Sequence, residues 1–385
     1  MGNVLSYGHQ WISDEDIEAV VRVLKSDSLT QGPLVERFEE SLRSHCGAKY
    51  CVAVANGTAA LHLAIAALEV KEGLQGITSP ITFVASANCL AYCGLVPVFA
   101  DIDPQTLNID PAEIGRRITS RTKVLVPVHF AGRPAAMAEI SALARKRKLF
   151  VVEDAAHAIG STYADGGPVG NCAHSDMTAF SFHPVKTITT AEGGAVMTND
   201  ETLCKRLRLL RNHGITRDAE ALSRNPGPWY YEMQALGYNY RLTDLQAALG
   251  VSQMTRLEAF KKRRREIVGR YNSAFGAMEY LQPPIAEKEG AACFHLYVVE
   301  IDFALLGKPR VRVMQELRDR GVGTQVHYIP VHTQPFYRRR FGYKDGDFPH
   351  AEAYYERALS LPLFPAMTDD DVERVIQAVQ SVVAG

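Results

Sequence analysis

Between residues 48 and 200, short Val/Ile/Ala/Phe-rich runs alternate with longer amphipathic ones. That rhythm belongs to the strands and crossover helices of a mostly parallel sheet. Strands are expected at 50–55, 76–79, 96–100, 124–128, 150–153, 178–182 and 195–198. Helical spacing of apolar residues marks 58–68, 83–93, 111–118 and 137–147. Residues 124–128 and 150–152 are nearly unbroken apolar runs, as strands covered on both faces require. A long helical segment over 243–274 then reads as a connector between lobes. Beyond it come a strand at 294–299, a helix at 311–320, a strand at 324–328 and a C-terminal helix over 369–383 capped by Thr368. The expectation is an α/β protein with a large domain over 12–250. A smaller C-terminal α+β domain over 251–385 packs with the N-terminal segment 1–11.

With 385 residues the chain is long enough for two lobes. Lys+Arg 42 against Asp+Glu 43 leaves a net charge of -1, so no overall field favours a nucleic acid or an anionic membrane. The basic runs 261–265 and 338–340 read as solvated faces. Seven cysteines without a Cys-x-x-Cys pair read as reduced, mostly buried thiols. There is neither a basic and apolar leader nor an apolar stretch of about 18 residues, and the expectation is a cytoplasmic protein. No metal site is expected.

The chain lacks Gly-x-Gly-x-x-Gly after a strand, Gly-x-x-x-x-Gly-Lys-Ser/Thr, His-Glu-x-x-His and Gly-x-Ser-x-Gly. Nicotinamide, P-loop, zincin and serine-hydrolase chemistry lose their main support. Three features remain, each at the C-terminal end of an expected strand, where open α/β sheets place their ligand crevice. In Ala55-Asn56-Gly57-Thr58-Ala59-Ala60 a strand runs into a helix through Gly57 and the Thr58 hydroxyl. Free N–H groups at the positive helix end make a phosphate seat there, or else Thr58 is an ordinary cap. In 149–157 an apolar strand ends in Glu153 and Asp154, followed by His157. A buried strand seldom tolerates an unpaired acid, so one of the two carboxylates needs a cationic partner, such as a protonated pyridinium nitrogen. His157 is placed to donate to a phenolate oxygen of the same ring. The plain alternative is an N-cap by Asp154 and a surface His157. In 180–196, Lys186 lies among aromatic and β-branched residues before Gly193-Gly194. Desolvation there lowers an amine toward the range a Schiff-base nucleophile needs, unless the chain of Lys186 simply snorkels into water.

Together these stretches resemble the fold type I pyridoxal-phosphate enzymes, specifically the nucleotide-sugar aminotransferase family. The resemblance runs nearly end to end, and residues 180–198 and 237–248 carry it most specifically. It implies that pyridoxal 5′-phosphate is bound covalently by Lys186, with Asp154 on the pyridinium nitrogen, and with Gly57, Thr58 and Ser181 on the phosphate. It further implies that Phe83 stacks on the ring and that Asn239 reaches the phosphate of the neighbouring subunit, making a homodimer. His157 stands where the family usually has Gln. L-Glutamate is the implied amino donor. Residues 29–32, 81–88, 181–186 and 325–330 look like the flagellin-sugar branch. That branch aminates UDP-2-acetamido-2,6-dideoxy-L-arabino-hex-4-ulose at C4 on the way to pseudaminic acid. Tyr7, His183, His327 and Tyr328 are the candidates for its sugar pocket, or else interlobe packing residues. A dTDP- or GDP-linked 4-keto-6-deoxyhexose is the alternative substrate, and a non-catalytic cofactor-binding regulator the more distant reading.

Overall fold

A computed structural model describes residues 4–284 and 291–383. Residues 1–3 of the N-terminal segment, with 285–290 and 384–385 of the C-terminal region, lie outside the described residues. Two helices, α1 (Asp14–Leu24) and α2 (Pro33–Cys46), precede the sheet, and the sequence reading contains neither. Seven strands follow: β1 (Tyr50–Val54), β2 (Gln75–Thr78), β3 (Val96–Phe99), β4 (Thr122–Val126), β5 (Phe150–Asp154), β6 (Met177–Ser181) and β7 (Gly194–Thr198). They form one sheet in the order β1-β7-β6-β5-β4-β2-β3, parallel throughout except at β7, which is antiparallel to both neighbours. The expected strands are therefore all present, with ends moved by a residue or two. The crossovers hold α3 (Gly57–Ala67), α4 (Ala85–Tyr92), α5 (Pro111–Arg117) and α6 (Met137–Arg147).

The unbroken apolar runs have the cause expected of them. Leu125 and Val151 enter one core layer, with Phe38, Leu42, Phe180 and Phe182. Val124, Val126 and Val152 enter the opposite one, with Leu61, Leu63 and Met177. Each fully buried side chain of this size contributes about 1.5–3 kcal/mol relative to exposure. Helix α7 (Glu201–Arg211) and a hairpin of β8 (Ile215–Thr216) and β9 (Glu232–Met233) lead on from the sheet.

The expected single helix over 243–274 is two helices, α8 (Asp244–Met254) and α9 (Leu257–Phe275). The chain breaks at Arg256, whose backbone (φ -106, ψ 2) leaves the helical range. Its guanidinium pairs with the fully buried Asp16 of α1, which also accepts from Gln253 Nε2 at 2.6 Å. A tertiary ion pair from the N-terminal helix thus decides the break.

The C-terminal region carries a three-stranded antiparallel sheet, β10 (Leu281–Gln282), β11 (Tyr297–Ile301) and β12 (Ala358–Leu361). Helices α10 (Arg310–Asp319), α11 (Pro335–Phe341), α12 (Pro349–Arg357) and α13 (Asp369–Val383) complete it. The strand expected at 294–299 begins three residues late, and the strand expected at 324–328 does not form. Within this segment only Gln325 pairs, with Ser360. The chain then turns inward, burying His327 and carrying Tyr328 to a cavity, where side-chain contacts replace a ladder. The N-terminal segment joins this region: Leu5 bridges to Val322, and the Tyr7 carbonyl accepts from Leu363 N at 3.0 Å. Ile81, Phe99 and Phe130 share a core with Leu296, Val298 and Tyr337, so the two regions meet across continuous apolar packing. No described helix is long and apolar enough to cross a membrane.

Candidate active site

A cavity of about 680 Å³ opens at the C-terminal ends of the parallel strands, between the large sheet and the C-terminal region. Its lining includes Tyr7, Gly57, Thr58, Phe83, Asp154, His157, Ser181, His183, Lys186, His327 and Tyr328. Eleven of the twelve residues to which the family resemblance gives a cofactor or substrate role therefore meet in one place. Asn239 is the exception: it is exposed and bridges to Asn212 outside this lining.

The phosphate-seat geometry comes from the start of α3. The N-cap is Asn56, not Thr58: its side chain accepts from Ala59 N at 2.8 Å. That leaves the Thr58 hydroxyl and the first N–H groups of the helix to face the cavity, at the positive helix end. Close approach here depends on glycine. A Cβ at Gly57 would lie 2.7 Å from Ser181 Cβ, and one at Gly194 would lie 2.5 Å from the Asn56 carbonyl oxygen. The cradle is thus tight, polar and free of side-chain bulk.

Strand alternation separates the two carboxylates of β5. Glu153 points away from the cavity and is fully buried. It accepts from His129 Nε2 at 2.7 Å, Tyr163 Oη at 2.6 Å, Thr178 Oγ1 at 3.0 Å and Ser175 Oγ. Burial pushes its carboxyl up, but these donors, His129 foremost, hold it below the usual range. The His129 Nδ1 accepts from Ala135 N at 3.0 Å, so Nε2 carries the hydrogen that faces Glu153. His129 also pins the neighbouring backbone, donating from its N–H to the Asp154 carbonyl at 3.1 Å. Glu153 is therefore the acid with a partner inside the protein. Asp154 is the one that lines the cavity, accepting from Ser86 Oγ at 2.5 Å and Ala156 N at 3.1 Å.

Lys186 lies on the loop after β6, where its N–H donates to the His183 carbonyl at 2.8 Å. The side chain opens on the cavity yet is surrounded by protein. Burial pulls the amine down to about 8, against the opposing influence of Asp154 and Cys293. An amine in that range is a usable nucleophile and proton carrier near neutral pH.

The opposite wall is neutral. Burial first, then the nearby Lys186, push His157 well below its ordinary value. His295, whose ring lies tilted against it with centroids 4.4 Å apart, is pushed down likewise by burial and by the nearby His157 and Lys186. His327 is pushed down to about 4, again by burial and Lys186. His157 Nε2 lies 3.2 Å from Tyr328 Oη, and its buried Nδ1 has no partner among the described residues. His327 Nδ1 lies 2.8 Å from Ser360 Oγ, and its ring packs on Tyr7 at 5.0 Å. Phe83 is 57% exposed at the cavity rim, with the Tyr328 ring tilted beside it at 6.3 Å and no ring stacked on its face among the described residues.

These residues fit a phosphorylated pyridine aldehyde. The glycine cradle and helix end suit the phosphate, Asp154 the ring nitrogen, Lys186 the aldehyde, and the exposed face of Phe83 the ring. The sequence reading missed Asn56, Thr82, Glu192 and Tyr240 in the lining and Ser86 behind it. Asn before Gly at a helix start is a cap signal that was available; Ser86, on α4, had none, because its partner lies on the distant strand β5. Among the described residues no group of three or more His, Cys, Asp or Glu is arranged to hold a metal.

Comparison with known proteins agrees with this geometry. A sequence model of the DegT/DnrJ/EryC1/StrS aminotransferase family matches residues 10–380. The chain is 45% identical to the spore coat polysaccharide biosynthesis protein SpsC of Bacillus subtilis, over 99% of this chain and 97% of that one. Its structure resembles Helicobacter pylori PseC, an aminotransferase involved in the biosynthesis of pseudoaminic acid, at TM-score 0.91 and 32% identity, covering 99% of each chain. It resembles equally, at TM-score 0.91 and 30% identity, the PLP-form of the sugar aminotransferase Spr1654 from Streptococcus pneumoniae, covering 99% of this chain and 98% of that one.

Proposed function

The chain belongs to the DegT/DnrJ/EryC1/StrS aminotransferase family, with the fold type I architecture and pyridoxal 5′-phosphate as cofactor, and we propose which sugar it aminates and with which residues. The proposed reaction moves the amino group of L-glutamate to C4 of UDP-2-acetamido-2,6-dideoxy-L-arabino-hex-4-ulose, on the way to pseudaminic acid. The protein does this as a cytoplasmic homodimer, with Asn239 of each subunit serving the other's phosphate. One observation carries the catalytic reading: an amine pulled to about 8 shares a cavity with a carboxylate, a phosphate cradle and an unstacked aromatic face.

When bound, the cofactor supplies an electron sink for the negative charge left as a proton leaves the amino-bearing carbon. Asp154 holds the positive charge of the ring nitrogen. The Lys186 amine would hold the aldehyde carbon and, when free, is placed to carry the proton taken from the amino-bearing carbon. Gly57, Thr58 and Ser181 anchor the phosphate so that both half-reactions meet the same geometry. The neutral His157 donates to the ring oxygen without adding charge. Tyr7, His183, His327 and Tyr328 receive the sugar.

A second reading is favoured by the 45% identity to SpsC, whose name ties it to spore coat polysaccharide. In it the acceptor is a dTDP- or GDP-linked 4-keto-6-deoxyhexose. Turnover with UDP-, dTDP- and GDP-linked 4-ketosugars, each supplied with L-glutamate, decides between them. A preference of at least about tenfold in kcat/KM for the UDP-linked acetamido sugar supports the first reading, and the reverse preference replaces it.

A further inference from the structure

Asp154 touches a side chain that no cofactor role explains. Ser86 Oγ donates to its Oδ2 at 2.5 Å, and Thr82 Oγ1 lies 2.6 Å behind Ser86 Oγ. All three are buried: Ser86 is fully enclosed, Thr82 is 3% exposed and Asp154 5%. Thr82 lies in the bend just before α4 and Ser86 in its first turn, and the two hydroxyls meet across the start of that helix. The same turn carries Phe83, whose carbonyl also lies 3.3 Å from Ser86 Oγ. A single short segment therefore sets both the aromatic face of the cavity and the carboxylate beneath it.

The carboxylate has a competitor for its orientation. Lys186 lines the same cavity and feels the charge of Asp154, yet no ion pair joins the two among the described residues. The other titratable groups around Asp154 are His157 and Tyr328 in the cavity and Cys89 on α4. None of these gives it a cation. With Oδ1 bonded to Ala156 N and Oδ2 to Ser86, the carboxylate is held by two donors fixed to the backbone of its surroundings. A hydroxyl chain of this kind is strengthened in a dry site, because each bond polarises the next.

We propose that Ser86, backed by Thr82, is a positioning residue that holds the Asp154 carboxylate in its cavity-facing orientation and out of an ion pair with Lys186. This rests on the reading of Asp154 as the ring-nitrogen contact. It assigns a function to the start of α4 that neither fold nor cofactor binding alone requires.

The test uses the cofactor-loaded protein and two readouts other than turnover. These are the midpoint of the pH titration of its visible absorption band, and the rate of cofactor loss on dialysis. In Ser86→Ala the midpoint moves up by about one pH unit, and cofactor is lost roughly tenfold faster. The direction follows because a less firmly protonated ring nitrogen withdraws less charge from the Lys186 nitrogen, which then keeps its proton to higher pH. Ser86→Thr, which keeps the hydroxyl, restores both values. Thr82→Val moves both in the same direction by a smaller amount, and decides the matter if Ser86→Ala does not accumulate as folded protein. Asp154→Asn is the control. If Asp154→Asn shifts the band while Ser86→Ala and Thr82→Val stay within about 0.2 unit of the parent, the role of Ser86 is overturned and that of Asp154 stands. If Asp154→Asn leaves the band unmoved, the ring-nitrogen reading fails, and this inference with it.

Discussion

The floor of the cavity and its far wall are built differently. Asp154 and Ser181 are paired within the sheet ladder at the ends of β5 and β6, and Gly57 opens the helix that follows β1. Phosphate cradle, carboxylate and amine are all at the floor. His327 and Tyr328 arrive on an irregular segment that pairs once, at Gln325, and then depends on side-chain contacts with Ser360 and His157. Their histidines are kept neutral by burial and by the proximity of Lys186. Charge chemistry thus gathers around the strand ends of the large sheet, and neutral recognition on the part where the two regions close together.

The sharpest way to break that division is at Lys186. Lys186→Ala removes the nucleophile and the proton carrier together, so kcat falls by about 10⁴-fold or more in both half-reactions, measured by single turnover with L-glutamate and with ketosugar. Comparable loss in only one half-reaction would place the amine on the wall side of the division. The wall is tested next. His327→Asn and Tyr328→Phe raise KM for the ketosugar about 10- to 100-fold, while the L-glutamate half-reaction stays within about threefold of the parent. Equal damage to both half-reactions would merge wall and floor into one unit.

The smallest effect is expected at His157, which belongs to the floor by position and to the wall by charge. Burial, Lys186 and His327 push its pKa well below the ordinary histidine value, so the neutral imidazole is favoured. His157→Gln therefore keeps kcat within about threefold, and the pH–rate profile between pH 6 and 8 is unchanged. A limb near pH 6.5 that disappears in the variant would mean that the imidazole titrates during turnover.

The floor was legible in the sequence because it follows local rules. Strands buried on both faces read as unbroken apolar runs, and their ends, at Asn56-Gly57-Thr58, Glu153-Asp154 and the Lys186 loop, announce themselves by residues that such runs exclude. What escaped was decided over distance. The assignment of Glu153 to His129, and of Asp154 to the cavity, required knowing which face of β5 met which layer. The break at Arg256 is made by Asp16 on a helix far away in the chain. Residues 324–328 have the composition of a strand, but burial of His327 and the reach of Tyr328 to His157 override it. Ser86, on α4, has no local signature, since its partner Asp154 comes from strand β5.

The central claim is that the amine at position 186, and no other, captures the cofactor. Borohydride reduction of the cofactor-loaded protein followed by peptide mass mapping tests it directly. The account predicts one pyridoxyl adduct, on the peptide containing Lys186, that is abolished by addition of L-glutamate before the borohydride. An unmodified Lys186, or an adduct on a different lysine, would contradict it.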